Sequence, residues 1–179
     1  MASLKSFLPR MSGILRISPA TLYERQRALT RLGILKGEEG RGPGSGVHLS
    51  ADTLAALIAS LLATDNLSEV DLRVDYLLRA HAVGSGGRCA VTHAKTFGAA
   101  LSQILSSPDE LGLEIRVLRP WLTPAEIKKD KTSSRFHTDK AINRVTVPSA
   151  IMTTAELPSE VLSALIHEFQ LVASEDRSK

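Results

Sequence analysis

The chain has a single cysteine, Cys89, among its 179 residues, so no disulfide can form within it. This scarcity is typical of proteins in a reducing compartment and predicts a cytoplasmic location. Long apolar runs are also missing, since the longest, Leu54 to Ala63, falls short of the roughly 20 residues that cross a bilayer. The first residues show neither an apolar core nor a cleavage pattern, so we expect no secretory signal and no membrane partner.

Sequence signatures of catalysis are absent as well. The chain has no Walker phosphate-binding pattern and no Gly-x-Ser-x-Gly nucleophile elbow. The nearest approach to a metal site is Cys89 with His93, and two ligands do not make a zinc site. We therefore expect no enzyme activity, no catalytic residue, no metal and no cofactor.

The charge of the chain is concentrated at one end. Residues 1–48 hold eight lysines and arginines against three glutamates, whereas the remainder holds 14 basic and 16 acidic residues. The hydrophobic fraction of 43% and the charged fraction of 23% are those of a globular protein. A basic surface attracts phosphate by releasing counterions, so this end of the chain favours a nucleic-acid partner.

Local signals near residue 18 predict two consecutive helices with a short turn between them. Ser18 can cap a new helix by accepting from its free N–H groups, and Pro19 suits the first helical position, which needs no donor. Gly33 suits a left-handed residue just after the helix, so the second helix should end at about Leu32. Before the turn, residues 2–13 remain for a first helix, which Pro9 and Gly13 interrupt.

The second helix divides into an apolar and a polar side at helical spacing. Its predicted inward positions are Leu22, Ala28, Leu29 and Leu32. Its predicted outward positions are Tyr23, Arg27, Thr30 and Arg31. The outer face is therefore cationic and polar.

A glycine-rich segment follows, in which residues 36–50 predict a hairpin. Gly42, Gly44 and Gly46 permit backbone angles closed to other residues, and Pro43 stiffens the tip. Such a loop can lay Arg41 against a phosphate or into a narrow minor groove.

Residues 14–49 resemble the helix-turn-helix and wing of the winged-helix transcription regulators. The resemblance rests on the turn from Ile17 to Leu22, the helix end from Leu29 to Leu35, and the hairpin through Val47. It implies that the second helix enters the major groove of double-stranded DNA while the wing touches the backbone or minor groove. The residues that we assign to DNA contact are Ser18, Thr21, Tyr23, Arg27, Thr30, Arg31, Arg41 and Ser45.

Residues 51–83 predict a helical hairpin, with leucines and valines at helical spacing in both halves. The first helix has a slim face made of small residues, namely Ala55, Ala56, Ala59 and Ala63. That face suits either a dimer interface or the core of one chain, and the sequence does not separate the two. The run Gly84 to Gly87 follows as a predicted flexible linker.

Residues 88–179 predict an α+β domain for oligomerisation or partner binding. Helical spacing marks 96–106 and 159–173, and alternation marks strands at 113–117, 125–128, 134–138 and 142–147. The predicted domains are thus a winged helix-turn-helix at 1–50, a helical hairpin at 51–83, a linker at 84–87, and a small antiparallel sheet with packed helices at 88–179. A basic hairpin at 128–140 that contains Phe136 is either a second nucleic-acid contact or a solvated edge.

Together these features predict a sequence-specific, double-stranded DNA-binding transcription regulator that occupies a site near a promoter as a homodimer or higher homo-oligomer. One alternative is a phage or mobile-element accessory protein for DNA packaging or recombination. Another is a protein-interaction module in which Arg25, Arg27 and Arg31 grip an acidic partner instead of DNA.

Overall fold

The computed structural model describes residues 2–38, 46–67, 70–84, 86–107, 112–119, 125–137 and 153–177. Within these ranges lie six helices: α1 (Leu4–Leu15), α2 (Pro19–Arg31), α3 (Ala51–Ala63), α4 (Val70–Arg79), α5 (Phe97–Ser106) and α6 (Ser159–Arg177). The strands there are β1 (Gly37–Glu38), β2 (Gly46–Val47), β3 (His81–Val83), β4 (Leu113–Arg119), β5 (Ala125–Lys129), β6 (Thr132–His137) and β7 (Thr153–Leu157). None of these helices is long and apolar enough to cross a bilayer.

Five of the strands form one antiparallel sheet in the order β3-β6-β5-β4-β7, which confirms the α+β class. In the middle of β4, Ile115 lies opposite Ile127 of β5 on one side and Leu157 of β7 on the other. The strands predicted at 113–117, 125–128 and 134–138 correspond to β4, β5 and β6, with ends shifted by a residue or two. The strand predicted at 142–147 lies outside the described residues, and the sequence did not indicate β3 or β7.

The core lies between one face of this sheet and the helices. Along β4 the side chains of Leu113, Ile115 and Val117 are at most 1% exposed, because alternate residues of a strand point to the same face. The central helix is α3, which packs against α2, α4 and α5 as well as against β4 and β7. Its position makes α3 a link between α2 and the sheet, while α1 packs against α6, which itself packs on β4.

The slim face of α3 is used inside the chain. The four alanines at positions 55, 56, 59 and 63 are all at most 5% exposed. Small side chains allow neighbouring helices to approach closely, so this face serves the packing of a single chain. Self-association of the protein stays a prediction.

The sheet takes strands from both sides of the predicted linker. β3 ends at Val83, just before Gly84, and pairs with β6 so that Ala82 lies opposite Phe136. One cluster of buried side chains also runs from Leu8 in α1 to Leu165 in α6. The division of the chain into domains stays a prediction.

The interruptions of the first helix that we predicted at Pro9 and Gly13 are wrong, because α1 runs continuously through both residues. A proline inside a helix costs about 3 kcal/mol, since it lacks an N–H and crowds the preceding turn. Against this cost, each large apolar side chain that is buried contributes about 1.5–3 kcal/mol. The side chains that α1 buries are those of Leu4, Phe7, Leu8 and Met11. Their burial outweighs the cost of the proline.

Two glycine substitutions should change stability in opposite directions. Gly13 lies within α1 with open space where a Cβ would stand, so Gly13→Ala should stabilise the protein by about 0.5–1 kcal/mol. Gly33 has the same open space but a φ of +72°, so Gly33→Ala should cost about 1 kcal/mol through left-handed strain. Denaturant unfolding of both variants measures the difference. Changes of the same sign would contradict the left-handed end of α2.

Candidate nucleic-acid interface

The turn between α1 and α2 forms as the sequence predicted. Arg16 adopts a left-handed conformation that ends α1, and Ser18 caps α2 by accepting from the Thr21 backbone N–H at 3.1 Å. The hydroxyls of Ser18 and Thr21 also lie 2.8 Å apart. Pro19 occupies the first helical position, where no donor is needed. The first turn of α2 is therefore fixed by contacts within four residues.

The other end of α2 is closed by the left-handed Gly33. The Gly33 N–H donates to the Thr30 carbonyl at 3.0 Å, and the Ile34 N–H donates to the Leu29 carbonyl at the same distance. Leu35 then enters the core with 3% exposure. Both ends of α2 are thus set locally, which fixes its length and the start of the hairpin that follows.

The buried side of α2 differs from the predicted one. The side chains that it buries are those of Leu22, Arg25, Gln26 and Leu29. Leu32, predicted to face inward, is 43% exposed, and Ala28 is half-buried. The spacing of the buried set is one helical stripe, but two of its members are polar, so a search for apolar periodicity misses them.

Arg25 is buried because it binds the end of α3. Its guanidinium donates to the carbonyls of Ser60 at 2.6 Å, Thr64 at 2.8 Å and Asp65 at 3.2 Å. The last carbonyls of a helix lack partners within it, so a cation that donates to them satisfies both the hydrogen bonds and the helix dipole. Burial lowers the pKa of Arg25, and its charge is held within the fold. The alternative of a protein-interaction module is therefore wrong in its use of Arg25, which at 4% exposure cannot grip an acidic partner beside Arg27 and Arg31.

A second guanidinium reaches the same helix end from the sheet. Arg119 of β4 donates to the carbonyl of Leu62 at 2.8 Å and to that of Leu61, and it pairs with the Asp65 carboxylate at 2.5 Å. Its side chain is 15% exposed. One helix end therefore joins α2 to the sheet through two arginines.

The outer side of α2 borders a groove of about 700 Å³ that also touches the start of α1 and the β1–β2 hairpin. The groove brings together four of the residues assigned to DNA contact: Tyr23, Arg27, Thr30 and Arg31. It adds Lys5 of α1, whose Nζ lies 5.1 Å from the centre of the Tyr23 ring. The sequence did not assign Lys5, because only the packing of α1 against α2 places it beside Tyr23.

The cations of the groove are held weakly. Arg27 pairs with Glu24 at 3.1 Å, but both side chains are about half exposed, and such pairs contribute only about 0–1 kcal/mol. Arg31 is exposed and has no ion-pair partner among the described residues. Since little must be broken to redirect them, both guanidiniums are free to bind an anion that enters the groove.

Two of the other four assigned residues, Ser18 and Thr21, are described by the structure. Ser18 and Thr21 do not line the groove, and their hydroxyls serve the cap of α2. Thr30 does line it, while its hydroxyl donates to the Gln26 carbonyl at 2.9 Å and keeps its acceptor capacity. Arg41 and Ser45 lie outside the described residues, but the strands on either side of them pair, with Gly37 opposite Val47.

The cationic surplus of residues 1–48 is smaller at the surface than in the sequence. Arg25 is buried, and Arg10 pairs with Glu168 of α6 at 2.9 Å. Besides the paired Arg10, the exposed cations of this part, among the described residues, are Lys5, Arg16, Arg27, Arg31 and Lys36. Three of these five line the groove.

Two other candidate features receive no support as sites. Cys89 is fully buried and His93 is exposed, and the described residues contain no cluster of three or more metal-ligating side chains. Phe136, the aromatic of the basic hairpin, is buried and meets Phe97 edge to face with ring centres 5.4 Å apart. It cannot stack on a base, so the hairpin presents charge without an aromatic platform.

Comparison with protein-family models, with curated proteins and with solved structures gives no match. The interpretation of the groove therefore rests on its own residues.

Replacing Arg25 should destabilise the fold more than replacing an exposed arginine. Arg25→Met leaves three carbonyls at the end of α3 without their charged donor, so we expect a loss of about 2–4 kcal/mol in the free energy of unfolding. The matched control is Arg79→Met, whose side chain is 78% exposed and pairs with Asp75 one turn away. That variant should lose about 0.5 kcal/mol or less. Equal losses in denaturant unfolding would show that Arg25 does not anchor α2.

Proposed function

We propose that the protein is a sequence-specific, double-stranded DNA-binding transcription regulator that reads DNA with α2 and the adjoining hairpin. The observation that carries the proposal is the groove, which three exposed cations and three hydroxyl-bearing residues line beside a paired hairpin. The proposal includes the winged helix-turn-helix arrangement that the sequence resemblance implies for residues 14–49. No catalytic step, metal or cofactor enters it.

The outer face of α2 has the chemistry needed for base reading. Tyr23, Arg27 and Thr30 follow one another at spacings of four and three, so they share one face of the helix. The major groove of DNA is about 12 Å wide and admits a helix, and an arginine there can donate two hydrogen bonds to one guanine. Arg27 and Arg31 would read bases, with Thr30 as an additional polar contact.

The residues around the helix would hold the DNA backbone. Lys5 and Tyr23 lie together at the edge of the groove, where a cation and a hydroxyl suit phosphate oxygens. Arg41, between the paired strands β1 and β2, would contact phosphate or the minor groove. Such contacts fix the position of the protein on DNA and carry no sequence information of their own.

The proposal extends to self-association and location. A homodimer would double these contacts on a palindromic site, and residues 88–179 are the expected place for subunit or partner contacts. The single cysteine favours the cytoplasm.

Selection of duplexes from a random pool at near-physiological salt tests the whole proposal. One enriched motif supports it, retention of all DNA alike favours a packaging accessory protein, and retention of none favours a protein-interaction module.

Arg27→Ala and Arg31→Ala should each weaken binding to the selected duplex by about 1–3 kcal/mol, because each removes a base contact. The matched control is Arg79→Ala, which removes a 78% exposed arginine from α4, outside both the groove and the basic hairpin at 128–140. The affinity of this control variant for the selected duplex should stay at the wild-type value. Fluorescence anisotropy on the selected duplex measures all three. Unchanged affinity in both α2 variants would contradict the assignment of Arg27 and Arg31 to base contact.

Lys5→Ala and Arg41→Ala should weaken binding to every duplex alike. Each removes a phosphate contact, so the slope of log affinity against log salt should become shallower by about 0.9 per residue. Anisotropy titrations at several salt concentrations, with the selected and a scrambled duplex, give both quantities. A loss confined to the selected duplex would instead assign these residues to base reading.

A further inference from the structure

A second cavity, of about 750 Å³, lies against the buried side of α2. Its walls come from the turn between α1 and α2, the C-terminal end of α3, β7 and the start of α6. We name it the α3-end cavity. Its volume falls in the range of about 300–1,000 Å³ that small-molecule sites occupy.

Most of the wall of the α3-end cavity is apolar. Ile58 and Leu61 contribute from α3, Leu157 and Val161 from the region where β7 leads into α6, and Ile17 from the turn. Side chains of this kind gain from contact with an apolar body that displaces water. The wall therefore suits a ligand with a hydrocarbon or aromatic part.

One end of the cavity is cationic and incompletely paired. Arg25, only 4% exposed, lines it, and its Nε has no hydrogen-bond partner in the described structure. Arg119 lines it as well, with its guanidinium near that of Arg25. The carboxylate that pairs with Arg119 belongs to Asp65, whose side chain is 90% exposed. The carboxylate that lies near both largely buried guanidiniums is thus an exposed one, and it pairs directly with Arg119.

The charge balance of the lining favours an anion. Besides Asp65, its other carboxylate is that of Glu156, which is already bound to Arg116 at 2.9 Å. A third arginine, the exposed Arg16, also lines the cavity. Guanidinium groups bind carboxylates through paired, charge-assisted hydrogen bonds.

We propose that the α3-end cavity binds a small organic carboxylate with an apolar body, whose head lies by Arg119 and Arg25 and whose body lies along Ile58 and Leu157. Thr21 and Arg25 belong to α2, so the ligand contacts the helix whose outer face lines the groove. An effect of the ligand on DNA binding rests on the proposed function. By linkage, a ligand that changes the position of α2 changes DNA affinity, and DNA changes ligand affinity by the same factor.

Calorimetric titration without DNA tests the site directly, with octanoate as the probe and octylammonium as its partner of opposite charge. Octanoate should bind with at least about tenfold higher affinity than octylammonium, the ratio expected from one charge-assisted pair. Arg119→Met should reduce this preference. Because no DNA is present, the result does not depend on whether the groove binds DNA.

A matched pair of variants locates the binding. Ala155 lies on β7 and lines the cavity, so Ala155→Trp should fill it and weaken octanoate binding by about tenfold or more. Thr154 is the preceding, exposed residue on the other face of the strand, so Thr154→Trp should bind as the wild type does. Circular dichroism melting confirms that both variants fold. Absence of octanoate binding, equal binding of both probes, or equal binding by both tryptophan variants would overturn the proposal.

Discussion

The packing of α2 relative to the sheet depends on the carbonyl groups at the C-terminal end of α3. Arg25 reaches them from α2 and Arg119 reaches them from β4. The C-terminal end of a helix has carbonyls without partners and a partial negative charge. Two largely buried guanidiniums supply the hydrogen bonds and the positive charge that this end lacks. If either arginine moved alone, a buried backbone carbonyl at this helix end would lose its hydrogen-bond donor. The position of α2 relative to the sheet is therefore set by electrostatics and hydrogen bonding as well as by apolar packing.

This anchoring explains how α2 can be buried on one side and still border the groove on the other. Leu22 and Leu29 pack into the core on the same side as Arg25, so the opposite side is left facing the groove. A helix held on its inner side presents Arg27 and Arg31 on its outer side, where Arg27 has only a weak exposed pair with Glu24 and Arg31 has no ion-pair partner among the described residues. Rigid backbone with releasable side chains suits a surface that must meet many phosphates and a few bases. The same anchor borders the α3-end cavity, so a ligand there would act on the orientation of α2 and not on the groove itself.

What the sequence predicts well is what short-range chemistry decides. The cap at Ser18 and the left-handed end at Gly33 each depend on contacts within a few residues, and both are found in the structure. What it misses depends on contacts distant in sequence. The acceptors of Arg25 lie 35 to 40 residues further on, so no local pattern marks that arginine as buried. Lys5 reaches the groove only through packing of α1 against α2, and β7 has a single buried residue and hence no clear alternation.

The most direct test of the central claim is to map the DNA-contacting surface by chemical-shift perturbation, titrating the selected duplex into the isotope-labelled chain of 19.3 kDa. DNA binding through the groove predicts that the largest amide shifts fall at Lys5, from Tyr23 to Arg31, and at Val47, with little change along β5 and β6. Shifts centred on β5 and β6, with α2 unaffected, would contradict it and would move the nucleic-acid contact to the outer face of the sheet.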